Sequence, residues 1–97
     1  MHIGVLQFTM EIPHALSLKD KRRVIRSTKD RVRRKFNVSI AEIDDLDAHN
    51  IATIGVVMAG NDVAYINSSL DRLLNLVEES REATLADHQL EILSPNS

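Results

Sequence analysis

The feature that most constrains this chain is the order in which two hydrophobic periodicities alternate along it. Ile3 to Ile12 alternates at period two. Gly4, Leu6, Phe8, Met10 and Ile12 share one parity, and Gln7, Thr9 and Glu11 take the other. That pattern predicts a strand with one buried face, ended by Pro13. Ser17 followed three residues later by Asp20 predicts a helix N-cap with a short capping box, and the acid suits the positive end of the helix dipole. Leu18, Val24, Ile25, Thr28, Val32 and Phe36 then recur on one side at about 100° per residue. A helix from Leu18 to Lys35 or Phe36 follows, with Asn37 as a left-handed terminator.

The second half repeats the alternation in mirrored order. Residues 37–44 read as a strand, with Val38 and Ile40 on one face and Ser39 and Ala41 on the other. Residues 44–50 are a polar turn. Ile51 to Ala59 is nearly continuously apolar and rich in β-branched residues, as a central strand should be. Gly60-Asn61-Asp62 breaks the pattern and caps a second helix, whose stripe is Val63, Ile66, Leu70, Leu73, Leu74 and Val77, running to about Ser80. Residues 82–93 form the last strand, with Ala86, His88, Leu90 and Ile92 in one register, and residues 94–97 should fray.

Strand, helix, two strands, helix, strand is the order of an α+β ferredoxin-like sandwich. The expectation is one domain over residues 1–93, with a four-stranded antiparallel sheet in the order 4-1-3-2 and both helices on one face. The expected core is Leu6, Phe8, Ile25, Val32, Ile54, Val56, Ile66, Leu70, Leu73 and Leu90. The other sheet face would carry Ile3, Val5, Ile43 and Val57 among Gln7, Thr9, Ser39, Gln89 and Glu91. This mixture predicts a monomer or a modest homodimer through that face or an edge strand.

Composition excludes several chemistries. The chain has no cysteine, which removes disulfides, Fe–S clusters and thiol catalysis. No run approaches the ~18 apolar residues of a membrane span, and Met1-His2-Ile3-Gly4-Val5 has no basic region before its apolar stretch. A cytoplasmic protein is the expectation. His2, His49 and His88 fall on separate elements without metal-ligand spacing. Asp44, Asp45 and Asp47 lack the glycine and distal glutamate of an EF-hand. His14, in the loop after the first strand, is the one histidine placed where an active site might sit, and it reads as an exposed loop residue. The expectation is a protein that is not an enzyme and needs no cofactor or metal.

The net charge of −2 conceals a strong segregation. Residues 19–35 hold ten of the twelve Lys and Arg against two acids, and the remaining 80 residues hold Arg72 and Arg81 against twelve acids. Projected on a helix, Lys19, Arg22, Arg23, Arg26, Lys29, Arg33 and Arg34 cover about 140° opposite the apolar stripe. Asp30 alone interrupts them, within reach of Arg26, Arg33 and Arg34. Lys21 falls on the apolar side, where its stem can snorkel. A face of like charges is suited to a polyanion, and arginine forks match phosphate oxygens in pairs. The seven residues are therefore the candidate nucleic-acid contacts. A helix face solvated or paired with acids of a protein partner is the competing reading.

Met1-His2-Ile3-Gly4-Val5-Leu6, the run Ser17-Leu18-Lys19-Asp20-Lys21-Arg22-Arg23-Val24-Ile25, Phe36-Asn37-Val38-Ser39 and Ala41-Glu42 resemble the bacterial YlxP-like family, a group of unknown function. The resemblance spans essentially the whole chain. It implies a single ferredoxin-like domain. Family genes often neighbour those for transcription elongation, the second translation initiation factor and ribosome-binding factor A, which implies a link to structured RNA or a ribosomal particle. An acidic protein partner docking on the same helix is the alternative. The third strand lacks the aromatic residues with which an RRM stacks bases. The loop 13–17 lacks the arginine of an acylphosphatase and the glycine of an ACT-type ligand site. The expected contact is thus with phosphates rather than bases. Arg72 lies outside the stripe and should not take part.

Overall fold

The computed structural model describes residues 1–95. Six elements follow one another: β1 (His2–Glu11), α1 (Leu18–Lys35), β2 (Ser39–Asp44), β3 (Ile51–Gly60), α2 (Val63–Glu78) and β4 (Thr84–Leu93). The strands form one antiparallel sheet in the order β2-β3-β1-β4. This is the ferredoxin-like arrangement that the alternating periodicities predict. Asn96 and Ser97, the end of the tail expected to fray, lie outside the described residues. Ser94 is held, its Oγ hydrogen-bonded to His2 Nδ1.

The core lies between one sheet face and the two helices. Leu6, Phe8 and Met10 of β1 and Ala52, Ile54, Val56 and Met58 of β3 meet Val24, Ile25 and Val32 of α1 and Ile66, Leu70, Leu73 and Val77 of α2. Phe8 is 1% exposed, so it packs inside and offers no surface to a base. Gly4 lets α2 settle onto β1. A Cβ there would stand 2.5 Å from Ile66 Cγ2 and 2.7 Å from Leu70 Cδ1, far inside van der Waals contact.

Three local expectations are corrected. First, Ala86 does not share a face with Leu90 and Ile92. Thr9 pairs with Asp87 but Met10 pairs with Leu85, so the register slips by one residue between them. A bulge reverses the inward parity beyond it. Leu85 therefore packs on the core with Leu90 and Ile92, and Ala86 is exposed. His88 keeps the core-side register opposite Phe8 but lies exposed on the edge strand. Second, Leu90 is half-buried rather than fully buried, because β4 is the edge of the sheet. Third, Asn37 does not end α1 in a left-handed turn. Phe36 is the C-cap in extended conformation (φ −132°, ψ 136°), and only Asp45 among the described non-glycine residues has positive φ. The extended exit carries the chain directly into β2 and leaves the Phe36 ring against the core.

Leu70 is wholly buried, so Leu70→Ala should lower the unfolding free energy by about 2–5 kcal/mol. Gly4→Ala should cost about 1–3 kcal/mol, since Ile66 and Leu70 must move to admit the methyl. Urea denaturation measures both, and an unchanged midpoint for either would contradict the packing described.

Candidate polyanion interface

What exposes the basic face is the way α1 is fastened. Ser17 caps it, its side chain accepting from the Asp20 amide, while Asp20 accepts from the Leu16 amide. One turn in, Lys21 does not snorkel outward. It is 1% exposed, and its Nζ donates to the carbonyls of Asp45 at 2.8 Å and Ile51 at 3.1 Å. The same Nζ stands 2.7 Å from Glu42 Oε2 on β2. That approach is off the hydrogen-bond line, so the pair is ionic and the buried Oε2 has no hydrogen-bond donor among the described residues. The Asp45 carbonyl also accepts from the Ala48 amide at 3.1 Å, so Lys21 adds a second donor to the β2–β3 turn. Asp45 adopts φ 59° and its carboxylate accepts from Thr53 Oγ1 at 2.7 Å. The acids of the 44–50 segment thus organise a turn around a lysine. At the other end of α1, Arg31 donates to the Leu76 carbonyl at 3.3 Å and lies 3.7 Å from Glu79 of the α2 C-cap.

With the helix pinned by Lys21 and Arg31, the seven candidate residues fall on its outer side. Lys19, Arg22, Arg23, Arg26, Arg33 and Arg34 are exposed and Lys29 is half-buried. None of the seven has a carboxylate within ion-pair distance among the described residues. Asp30, expected to pair with Arg26, Arg33 or Arg34, pairs with none of them. Arg33 donates weakly to the Ile40 carbonyl at 3.4 Å. Arg22, Arg26, Lys29 and Arg33 line a groove of about 410 Å³ between α1 and β2, with Ile25, Asp30 and Glu42. Lys19, Arg22, Arg23 and Arg26 line a second depression with Asp20. Arg34 is exposed beyond both grooves.

Helix electrostatics separates these cations by cause. Arg33, Arg34 and Lys35 lie in the last turn, where positive charge is stabilised by the dipole. Lys19 and Arg22 lie near the opposite end, where the dipole disfavours them. Arg23, Arg26 and Lys29 repel their neighbours one turn away. None of these five positions forms an ion pair with a carboxylate among the described residues.

Two cations distant in sequence lie beside α1, each with acids next to it: Arg81 shares its cavity with Asp20 and Glu82, and Arg72 shares its groove with Glu79. Arg81, on the turn before β4, lines a cavity of about 110 Å³ with Arg23 and His14 above Ile12, Ala15 and Val24. Arg72 lines the groove beside Lys35 and Phe36 while donating to Ser69 Oγ at 3.3 Å. Arg72 lies outside the stripe of seven, next to Lys35 at the end of α1, because α2 packs alongside α1. No spacing in the sequence signals either neighbour.

The open sheet face carries none of the three aromatic residues. Its β3 positions are Ile51, Thr53, Gly55, Val57 and Ala59, and those of β1 are Ile3, Val5, Gln7, Thr9 and Glu11. Among the described residues no helix is long and apolar enough to cross a membrane.

Sequence comparison bears out the family resemblance. The family described as "Protein of unknown function (DUF503)" matches residues 3–90. The uncharacterized protein YlxP of Bacillus subtilis (strain 168) is 32% identical over 80 residues, which is 82% of this chain and 87% of that protein.

Removing Lys21 should be costly, because it leaves the buried Glu42 carboxylate without its counter-charge and takes a donor from the Asp45 and Ile51 carbonyls. Lys21→Met is expected to lose about 3–5 kcal/mol, and adding Glu42→Gln should recover part of the loss. Urea unfolding of the single and double variants is the check. A Lys21→Met protein as stable as wild type would show that the pair contributes nothing to the fold.

Proposed function

This chain belongs to the DUF503 family of proteins of unknown function, and we propose that it is a non-enzymatic domain that binds structured RNA, such as a ribosomal particle, through the outer face of α1. The observation that carries the reading is the set of cations with no carboxylate partner among the described residues, on a helix whose rotation is fixed. Such a face costs stability in the free protein and recovers it on a polyanion, where each Lys or Arg that neutralises a phosphate releases a condensed counterion. The 18 residues of α1 extend about 27 Å, enough to follow several phosphates. Five of the seven candidates are arginines, whose planar forks engage two phosphate oxygens at once. The open sheet offers no stacking platform, so recognition runs through backbone and shape rather than base edges.

The test is a titration of structured RNA at several salt concentrations. Arg22→Ala and Arg26→Ala should each flatten the log–log salt slope by roughly 0.7–0.9. Both should leave the thermal melt nearly unchanged, since neither side chain is buried. Arg26→Lys should keep the slope and lose the bidentate contact. Gln89→Ala, on the open sheet face, is the control and should change neither. Arg72 does not serve as one, given its place beside Lys35. Equal slopes for every variant, or no binding to RNA or ribosomal subunits at low salt, would overturn the proposal and leave an acidic protein partner as the occupant.

A further inference from the structure

The cations of α1 are not spread evenly around its outer side. Arg22, Arg26, Lys29 and Arg33 follow one another at i, i+4, i+7 and i+11, so they form a single row along the side of the helix turned toward β2. At about 1.5 Å of rise per residue the steps of this row are about 6, 4.5 and 6 Å. Lys19, Arg23 and Arg34 lie farther round the helix, and none of them lines the α1–β2 groove. Arg23 also has Asp20 and Glu82 near it.

The row forms one wall of the groove of about 410 Å³, with Ile25, Asp30 and Glu42 as its other residues. Because β2 is an edge of the sheet, no further strand closes it. The two acids in the groove are not equivalent. Glu42 lies 2.7 Å from Lys21 Nζ, so its charge is met from inside the fold. Asp30 is exposed. It follows Lys29 directly and stands one helical turn from Arg26 and Arg33, yet it pairs with none of them. Four cations against one uncompensated acid leave the groove cationic.

A compact anion would need these cations to converge on a point, whereas they are strung along about 16 Å of helix. A sugar–phosphate strand, with its charges repeated along a line, fits such a row. Asp30 narrows the choice further. A carboxylate beside a line of phosphates weakens binding unless the strand brings a donor to it. Each ribonucleotide carries that donor, the 2′-hydroxyl, between successive phosphates, and deoxyribose lacks it.

We propose that the α1–β2 groove seats one strand of an RNA, with Arg22, Arg26, Lys29 and Arg33 along successive phosphates and Asp30 accepting a hydrogen bond from a ribose 2′-hydroxyl. The inference rests on the RNA reading of α1. It concentrates the phosphate contacts in one row of four and makes Asp30 the residue that prefers ribose to deoxyribose.

The test compares an RNA hairpin with the same hairpin built from 2′-fluoro nucleotides. Fluorine keeps the A-form geometry and the phosphates and removes the hydroxyl donor. The wild-type protein should bind the fluoro hairpin at least about fivefold more weakly. Asp30→Ala should bind both hairpins alike, and the fluoro hairpin more tightly than wild type does, since no carboxylate then faces the phosphates. In a salt titration of the RNA hairpin, Lys29→Ala and Arg33→Ala should each flatten the log–log slope by roughly 0.7–0.9, and Lys19→Ala and Arg34→Ala by less than half as much. Thermal melts establish that the variants are folded, as the exposure of Asp30 and Arg33 leads one to expect. A wild-type protein indifferent to fluorine would overturn the inference and leave the RNA reading standing. So would an Asp30→Ala protein that gains equally on both hairpins, which marks the acid as simple repulsion, or equal slope changes in the two sets of cations. No binding of either hairpin at low salt would end both.

Discussion

Much of this structure depends on one buried ammonium. Lys21 joins three separate pieces of chain, the first turn of α1, the β2 residue Glu42 and the two ends of the β2–β3 turn at Asp45 and Ile51. Burying a charge is expensive unless it is paired and hydrogen-bonded. Here one charge is met by a carboxylate and two carbonyls, so helix, strand and turn are set relative to one another. A hydrophobic residue at position 21 would fill the same corner but would not orient it. Polar requirements are directional, and this one gives α1 its rotation about its own axis.

That rotation has an electrostatic consequence. With Lys21 turned inward and Arg31 tied to the end of α2, the remaining cations of α1 must face water. The positive charge of residues 19–35 is then concentrated on the helical side. The open side of the sheet carries Glu11, Asp87 and Glu91, and acids also occupy the β2–β3 turn. A molecule so divided presents a preferred side to any polyanion and turns the other away, an orienting effect that acts before contact. At its two ends the basic face meets mixed charge, Arg81 with Asp20 and Glu82 beside Arg23, and Arg72 with Glu79 beside Lys35.

The two broad faces of the sandwich thus meet different physical demands. The helix side carries the cations of α1 that have no carboxylate partner among the described residues, with the exposed acids Asp71 and Glu78 of α2 beside them. The sheet side carries Ile3, Val5, Val57 and the exposed Ile43 among Gln7, Thr9 and Gln89. Gly55 beneath Ile43 and Gly4 beneath Ile66 and Leu70 show the same device on opposite faces, a missing side chain that lets a branched residue lie close to the sheet.

Element order, strand topology, nine of the ten expected core residues and the identity of the basic residues were legible in the sequence, because each is written in local periodicity: two residues for a strand, 3.6 for a helix. Phe8 in the core and Ser17 at the helix cap followed from parity and spacing alone. What was not legible came from contacts distant along the chain. The inward turn of Lys21 depends on carbonyls 24 and 30 residues away. The absence of a pair at Asp30 depends on side-chain geometry that spacing permits but does not impose. The bulge that turns Leu85 inward in place of Ala86 is set by the pairing of β4 with β1. Arg72 and Arg81 came beside α1 only when α2 and the turn before β4 packed against it. Local patterns determine which residues can form a helix or strand and which side of it is apolar. Only the packed chain decides which distant charges and carbonyls meet, because that pairing is set by the positions of whole elements.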